Sequence, residues 1–149
     1  MRADNGQETA AQREPQAEAP PAEAPRAAAP RAEVAVTLRT HHTETGVAVC
    51  TIVGDLDFDT LASVEEELTG LVEERTPPRP SALVVDLAQV GFCDSSGLNL
   101  LLRTRAAAVA AGMDLRLAAV APAVRRVLEL TGADTVFSLY DSVTDAIAA

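Results

Sequence analysis

One short run of this chain concentrates groups able to do chemistry: Asp94-Ser95-Ser96-Gly97, a carboxylate and two hydroxyls in three consecutive positions. It stands directly before an apolar series, Leu98, Leu101, Leu102 and Val109, whose spacing predicts a helix. The first N–H groups of a helix lack intrahelical partners, and Asp and Ser are residue types that satisfy them. A phosphoryl group carried on one of these hydroxyls would lie at the positive end of the helix dipole. The run therefore suits a reversible charge switch. It does not suit hydrolysis, because no sequence pattern places His41 or His42 beside the serines as a base and Gly-x-Ser-x-Gly is absent. A Gly-x-x-x-x-Gly-Lys phosphate loop is impossible in a chain without lysine. The reading is a non-enzyme with no catalytic residue and no cofactor.

Other constellations are weaker. Asp55, Asp57, Asp59 and Glu66 occupy the 1, 3, 5 and 12 positions of an EF-hand loop, but Thr60 stands where the sharp turn needs Gly. An apolar stripe from Leu61 also needs helix where that loop needs ligands, so no metal site is expected. His41 and His42 fall in a predicted hairpin turn and read as solvated bystanders. Cys50 and Cys93 have neither metal-ligand spacing nor a C-x-x-C partner, and read as reduced thiols in or near a core.

The elements that must position the serines follow from periodicity. Val34, Val36 and Leu38 alternate as a strand, a turn spans 41–46, and Val47 to Val53 forms a second strand of a hairpin. A helix with Leu61, Val64, Leu68, Leu71 and Val72 on one face follows, its glutamates mainly off that stripe, and Thr76-Pro77-Pro78-Arg79-Pro80 ends it. Residues 82–87 are nearly all apolar, as in a central strand covered on both faces, and a short connection then leads to Asp94. The helix after Ser95 runs to Ala111 and stops at Gly112; Asp114 to Val120 is a fourth strand. Pro122 opens a helix burying Val124, Val127 and Leu128 and closed by Gly132. Residues 136–139 form a short fifth strand, and Asp141 or Ser142 caps a last helix. The order β-β-α-β-α-β-α-β-α defines a single α/β domain, residues 34–149, with a mixed central sheet of about five strands.

Residues 1–33 contain 11 Ala and 5 Pro but no Val, Ile, Leu, Phe or Tyr. Such a segment cannot bury enough apolar surface to offset its ordering entropy, and it is read as a disordered arm. It lacks the apolar central run of a signal peptide, and no stretch reaches the length of a membrane span. A soluble cytoplasmic protein with no membrane partner is expected. The formal net charge is −10, with three Phe, one Tyr and no Trp, a poor match to nucleic acid and a better one to a basic protein partner.

Four segments in order carry a family resemblance: Gly54-Asp55-Leu56-Asp57, Val84-Val85-Asp86-Leu87, Phe92-Cys93-Asp94-Ser95-Ser96-Gly97-Leu98 and the stretch Val124 to Gly132. Together they resemble the bacterial STAS domain, specifically the anti-sigma factor antagonist (anti-anti-sigma factor) family, over residues 34–148. The resemblance implies a binding module that, unphosphorylated, holds an anti-sigma factor with GHKL-type serine kinase activity and so releases a sigma factor. It implies that the kinase modifies the first serine after the aspartate, here Ser95, and that a metal-dependent serine phosphatase reverses this. The alternatives are a stressosome-like or other signalling scaffold using the same serine, or a domain that senses a small molecule in a pocket.

Each site residue also has a purely structural role open to it. Ser95 could simply cap the helix, as could Asp94 or Ser96. Asp57, near the switch in the family pattern, could contact a basic partner or cap the following helix in competition with Asp59. Asp94 reads first as cap and turn former and second as a contact, whereas Gly97 permits close backbone approach. Asn99 stands where related sequences often carry a small residue, which affects the shape of the partner surface. Arg103 and Arg105 border that surface.

Overall fold

The computed structural model describes residues 36–74 and 76–149; the expected arm and the first residues of the first strand lie outside them. Five strands, β1 (Val36–His42), β2 (Val47–Leu56), β3 (Ala82–Cys93), β4 (Asp114–Ala118) and β5 (Ser138–Tyr140), lie side by side in chain order. β1 pairs antiparallel with β2, and every later pairing is parallel. Each parallel step therefore needs a crossover, supplied by α1 (Leu61–Glu73), α2 (Ser95–Ala110) and α3 (Pro122–Thr131). All three steps run the same way along the sheet, so right-handed crossovers place all three helices on one face. The fourth helix, α4 (Val143–Ala148), covers part of the other.

Alternation along the strands divides the core accordingly. Ala48, Cys50, Ile52, Leu83, Val85, Leu87, Leu115 and Leu117 pack beneath α1, α2 and α3. Val47, Val49, Ala82, Val84 and Ala118 form a smaller cluster with Ala146 of α4. Both thiols are free and buried, and burial pushes each to about 11.

Several expected boundaries move. β3 does not stop at Leu87 but continues to Cys93, because residues 53–56 of β2 extend the ladder against residues 89–93. Two register shifts, between Thr51 and Val53 and between Gly54 and Asp55, accommodate it. Ala88 and Gln89, one small and one polar, had masked this half-exposed continuation. His41 and His42 close β1, and the turn itself is Thr43–Gly46. β4 ends at Ala118, since Ala119 takes a left-handed φ of 53° and leaves the ladder. The last strand begins at Ser138 because a 3₁₀ turn at Ala133–Thr135 intervenes. On α2 the buried stripe is Gly97, Leu101, Thr104 and Ala108, with Leu98 and Leu100 beside it, so Val109 faces outward at 60% exposure. Pro122 opens α3, Gly132 closes it at a φ of 78°, and the Ser142 hydroxyl caps α4 through the Asp145 N–H at 3.0 Å.

Candidate functional site

The C-terminal ends of β2 and β3 and the first turn of α2 meet at one place. The Leu56 carbonyl, last in β2, accepts the Asp94 N–H at 3.1 Å, fixing the point where β3 gives way to α2. Asp94 is the N-cap: its Oδ1 accepts the Gly97 N–H at 3.0 Å. Its Oδ2 accepts the Phe58 N–H at 3.2 Å, in the loop between β2 and α1. One carboxylate thus ties two loops together and occupies the cap, leaving the Ser95 hydroxyl without a capping duty. Ser95 is exposed, Ser96 half-buried and Asn99 exposed.

Gly97 is buried, and its lack of a side chain is a packing requirement. A Cβ there would collide with the Leu56 carbonyl oxygen and stand 2.9 Å from the Leu56 Cβ. The helix start is seated directly on the end of β2 for this reason. Beneath it, Cys93 faces the core and Leu98 and Leu101 complete the seal.

Asp57 organises its own loop. Its Oδ1 accepts the N–H groups of Asp59 and Thr60 at 3.0 and 3.1 Å. Thr60, not Asp57 or Asp59, holds the N-cap position of α1; its hydroxyl accepts the Asp57 N–H at 3.1 Å and donates to the Asp55 carbonyl at 2.8 Å. The loop is rigid by construction. With Asp57 engaged by these amides and α1 under way at Leu61, the carboxylate spacing that resembled a calcium loop builds an Asx turn instead. Among the described residues no three His, Cys, Asp or Glu side chains cluster as metal ligands.

The geometry also places what the sequence reading passed over. Phe58 is 75% exposed between two aspartates, and Phe92 is 51% exposed at the end of β3, opposite Asp55. The sequence around Phe58 does not set it apart, since Leu56 two residues before it and Leu61 three after it are apolar and the ring fits either period. Arg103 reaches across to α1, its guanidinium 2.7 Å from Glu65. The histidines end β1, His42 opposite Ala48 near the start of β2, roughly 25 Å along the strand from the serine end. A cavity of about 560 Å³ is also remote from the serines: its lining includes Thr45, Val47, Ser81 and Arg116. The Arg116 guanidinium there is already engaged by Asp114 and the Ala146 carbonyl.

Residues 39–146 match the STAS domain family. The chain belongs to that family. Among curated proteins it is 34% identical over 116 residues to the anti-sigma-F factor antagonist RsfB of Mycobacterium tuberculosis, covering 76% of this chain and 87% of the relative. A crystal structure of an anti-sigma factor antagonist from Mycobacterium paratuberculosis superposes with a TM-score of 0.67 at 32% identity, covering 76% of this chain and 92% of that one. The unphosphorylated form of SpoIIAA shares the fold, with a TM-score of 0.61 at 19% identity over 74% of this STAS chain and 93% of its own. Among the described residues, no helix is long and apolar enough to cross a membrane.

Proposed function

We propose that this STAS protein is an anti-sigma factor antagonist switched by phosphorylation of Ser95. Unphosphorylated, it binds an anti-sigma factor that is also a GHKL-type serine kinase, and so frees a sigma factor. Phosphorylation by that kinase ends the complex, and a metal-dependent serine phosphatase restores it. The protein acts in the cytoplasm, by binding and not by catalysis. The observation that carries the reading is the exposed Ser95 hydroxyl in the first turn of α2, relieved of capping by Asp94. The 34% identity to a protein named as an anti-sigma-F factor antagonist supports it.

The physics of such a switch is differential. A phosphoryl group adds a charge of about −1.5 to −2. Within the domain, the α2 dipole contributes about 0.3–1 kcal/mol in its favour, offsetting part of the repulsion from Asp94. At a closed interface, desolvation and like-charge contact cost several kcal/mol. Folding therefore survives a modification that binding does not. Asp57, Asp94, Ser96 and Asn99 form the partner-facing surface of this reading, while Gly97, expected from the sequence as a contact, is buried against Leu56 and serves only to seat the helix start that presents them.

The test uses purified anti-sigma factors of the source organism. Incubation with ATP, followed by mass spectrometry, should place one phosphate on Ser95. Ser95→Ala should retain affinity in the presence of ATP, whereas Ser95→Asp should lose it while melting like the wild type. Equal affinity for wild type, both variants and the phosphoprotein would refute the proposal.

A further inference from the structure

The domain has little aromatic surface to spend, with three Phe, one Tyr and no Trp, yet two of the Phe are exposed and both flank the same serine. Phe137, the third, is buried. Large apolar side chains in water stabilise nothing in the folded domain; Val109, Leu130 and Val136 are exposed singly elsewhere, but the two exposed phenylalanines both fall at the serine end of the sheet. Phe58 is also held in place. Its N–H is fixed by the Asp94 Oδ2, and the loop around it is closed by Asp57 and by Thr60. An aromatic presented on a rigid backbone loses little entropy when it is buried by a partner.

The surroundings specify what can bury it. Asp55 at the end of β2, Asp57 and Asp59 in the loop that follows, and Asp94 at the cap of α2 lie at this end of the sheet, and the described domain has no Arg or Lys between Thr40 and Glu74. A partner must supply an apolar socket for the ring and positive charge around it.

We infer that Phe58, supported by Phe92, is the apolar anchor of the docking surface, received by a socket on the anti-sigma factor that is rimmed by Arg or Lys. The inference rests on the reading of Ser95 given above and adds to it the source of affinity. Phosphorylation then acts beside the anchor, within the same desolvated patch, where added charge is most costly. Leu130, 73% exposed on α3 and outside the loops around Ser95, is an equally open apolar side chain and serves as the control.

Calorimetric titration of the full chain with the purified anti-sigma factors of the source organism tests this. Phe58→Ala should weaken binding by about 30-fold or more, the size of an interface hot spot, and Phe92→Ala by a smaller factor. Leu130→Ala should bind like the wild type, and all three should melt within about 2 °C of it because the removed side chains are exposed. Asp59→Arg should slow association and reduce its salt dependence. If Ser95→Asp abolishes binding while Phe58→Ala and Phe92→Ala both stay within threefold of the wild type, the anchor is refuted and the serine switch stands. If the wild type binds none of the anti-sigma factors, the switch reading and the anchor fall together.

Discussion

Replacing Gly97 by Ala tests whether the helix carrying the serines is seated as closely as described. In an open helix position this exchange stabilises, since Ala has the higher propensity by up to about 1 kcal/mol. Gly70, in α1, is such a position: a Cβ there meets nothing within 4 Å. At Gly97 the same atom would overlap the Leu56 carbonyl oxygen and approach the Leu56 Cβ to 2.9 Å, against an ordinary carbon contact of about 3.5–4.0 Å. The obstruction is backbone, which cannot swing aside. Relief requires the start of α2 to withdraw by roughly 0.5 Å or more. That movement loosens Leu98 and Leu101 and stretches the 3.1 Å bond from the Asp94 N–H to Leu56, itself worth about 1 kcal/mol. Overpacking of this kind costs about 1–3 kcal/mol and exceeds the propensity gain. The expected result is a net loss of about 1–2 kcal/mol for Gly97→Ala, or a melting point lowered by about 3–10 °C. Gly70→Ala should raise it by a few degrees. Circular dichroism is the appropriate probe, because the chain has no Trp and a single Tyr. A Gly97→Ala protein that melts at or above the wild-type temperature would show that the approach is not tight, and the account of why glycine occupies that position would fail.

Other outcomes follow from the same geometry. Asp94→Ala removes the α2 cap and the Phe58 anchor together, and should cost about 1–2 kcal/mol in urea unfolding; Asp94→Asn, which keeps the cap acceptor, should recover more than half of that. Cys50 and Cys93 should react with a thiol reagent at pH 8 only as fast as the domain unfolds, since burial raises both to about 11. Because the folded thiols hold their protons where unfolded ones release them, their contribution to stability is complete below about pH 9 and declines between pH 9 and 11, a trend that Cys→Ala variants should flatten. Arg103→Ala breaks an exposed ion pair with Glu65 and should change stability by less than about 1 kcal/mol, measurable as a small shift in the urea midpoint.

The element order was legible because its signals are local. The Leu61-to-Val72 stripe, Pro122, Gly132 and Ser142 each announce a helix or its end through propensity and capping, and the structure has them in those roles. What escaped depends on contacts between distant segments. The continuation of β3 through Ala88 and Gln89 exists because β2 offers ladder partners, which no local period reveals. Val109 fits a helical stripe on paper, yet the stripe that α2 buries is set by where the sheet and α1 lie. The same holds at the site. That Asp94 would cap α2 was readable from its position before the apolar run; that its second oxygen would hold the Phe58 amide was not. The tight seat of Gly97 on Leu56 required the two strand ends to be brought together, and Phe58 could be recognised as exposed only once the core that excludes it was known.

The unequal lengths of the strands have a mechanical consequence. β4 ends opposite Asp86, so the last seven residues of β3 run on with only β2 as a strand partner, held to the core on one face by Leu56, Val90 and Cys93. With two strands in place of five, this end owes its firmness to the side chains packed beneath it and not to the breadth of the sheet. Ser95, exposed just past the end of that ribbon, is within reach of a modifying enzyme without any part of the domain having to open.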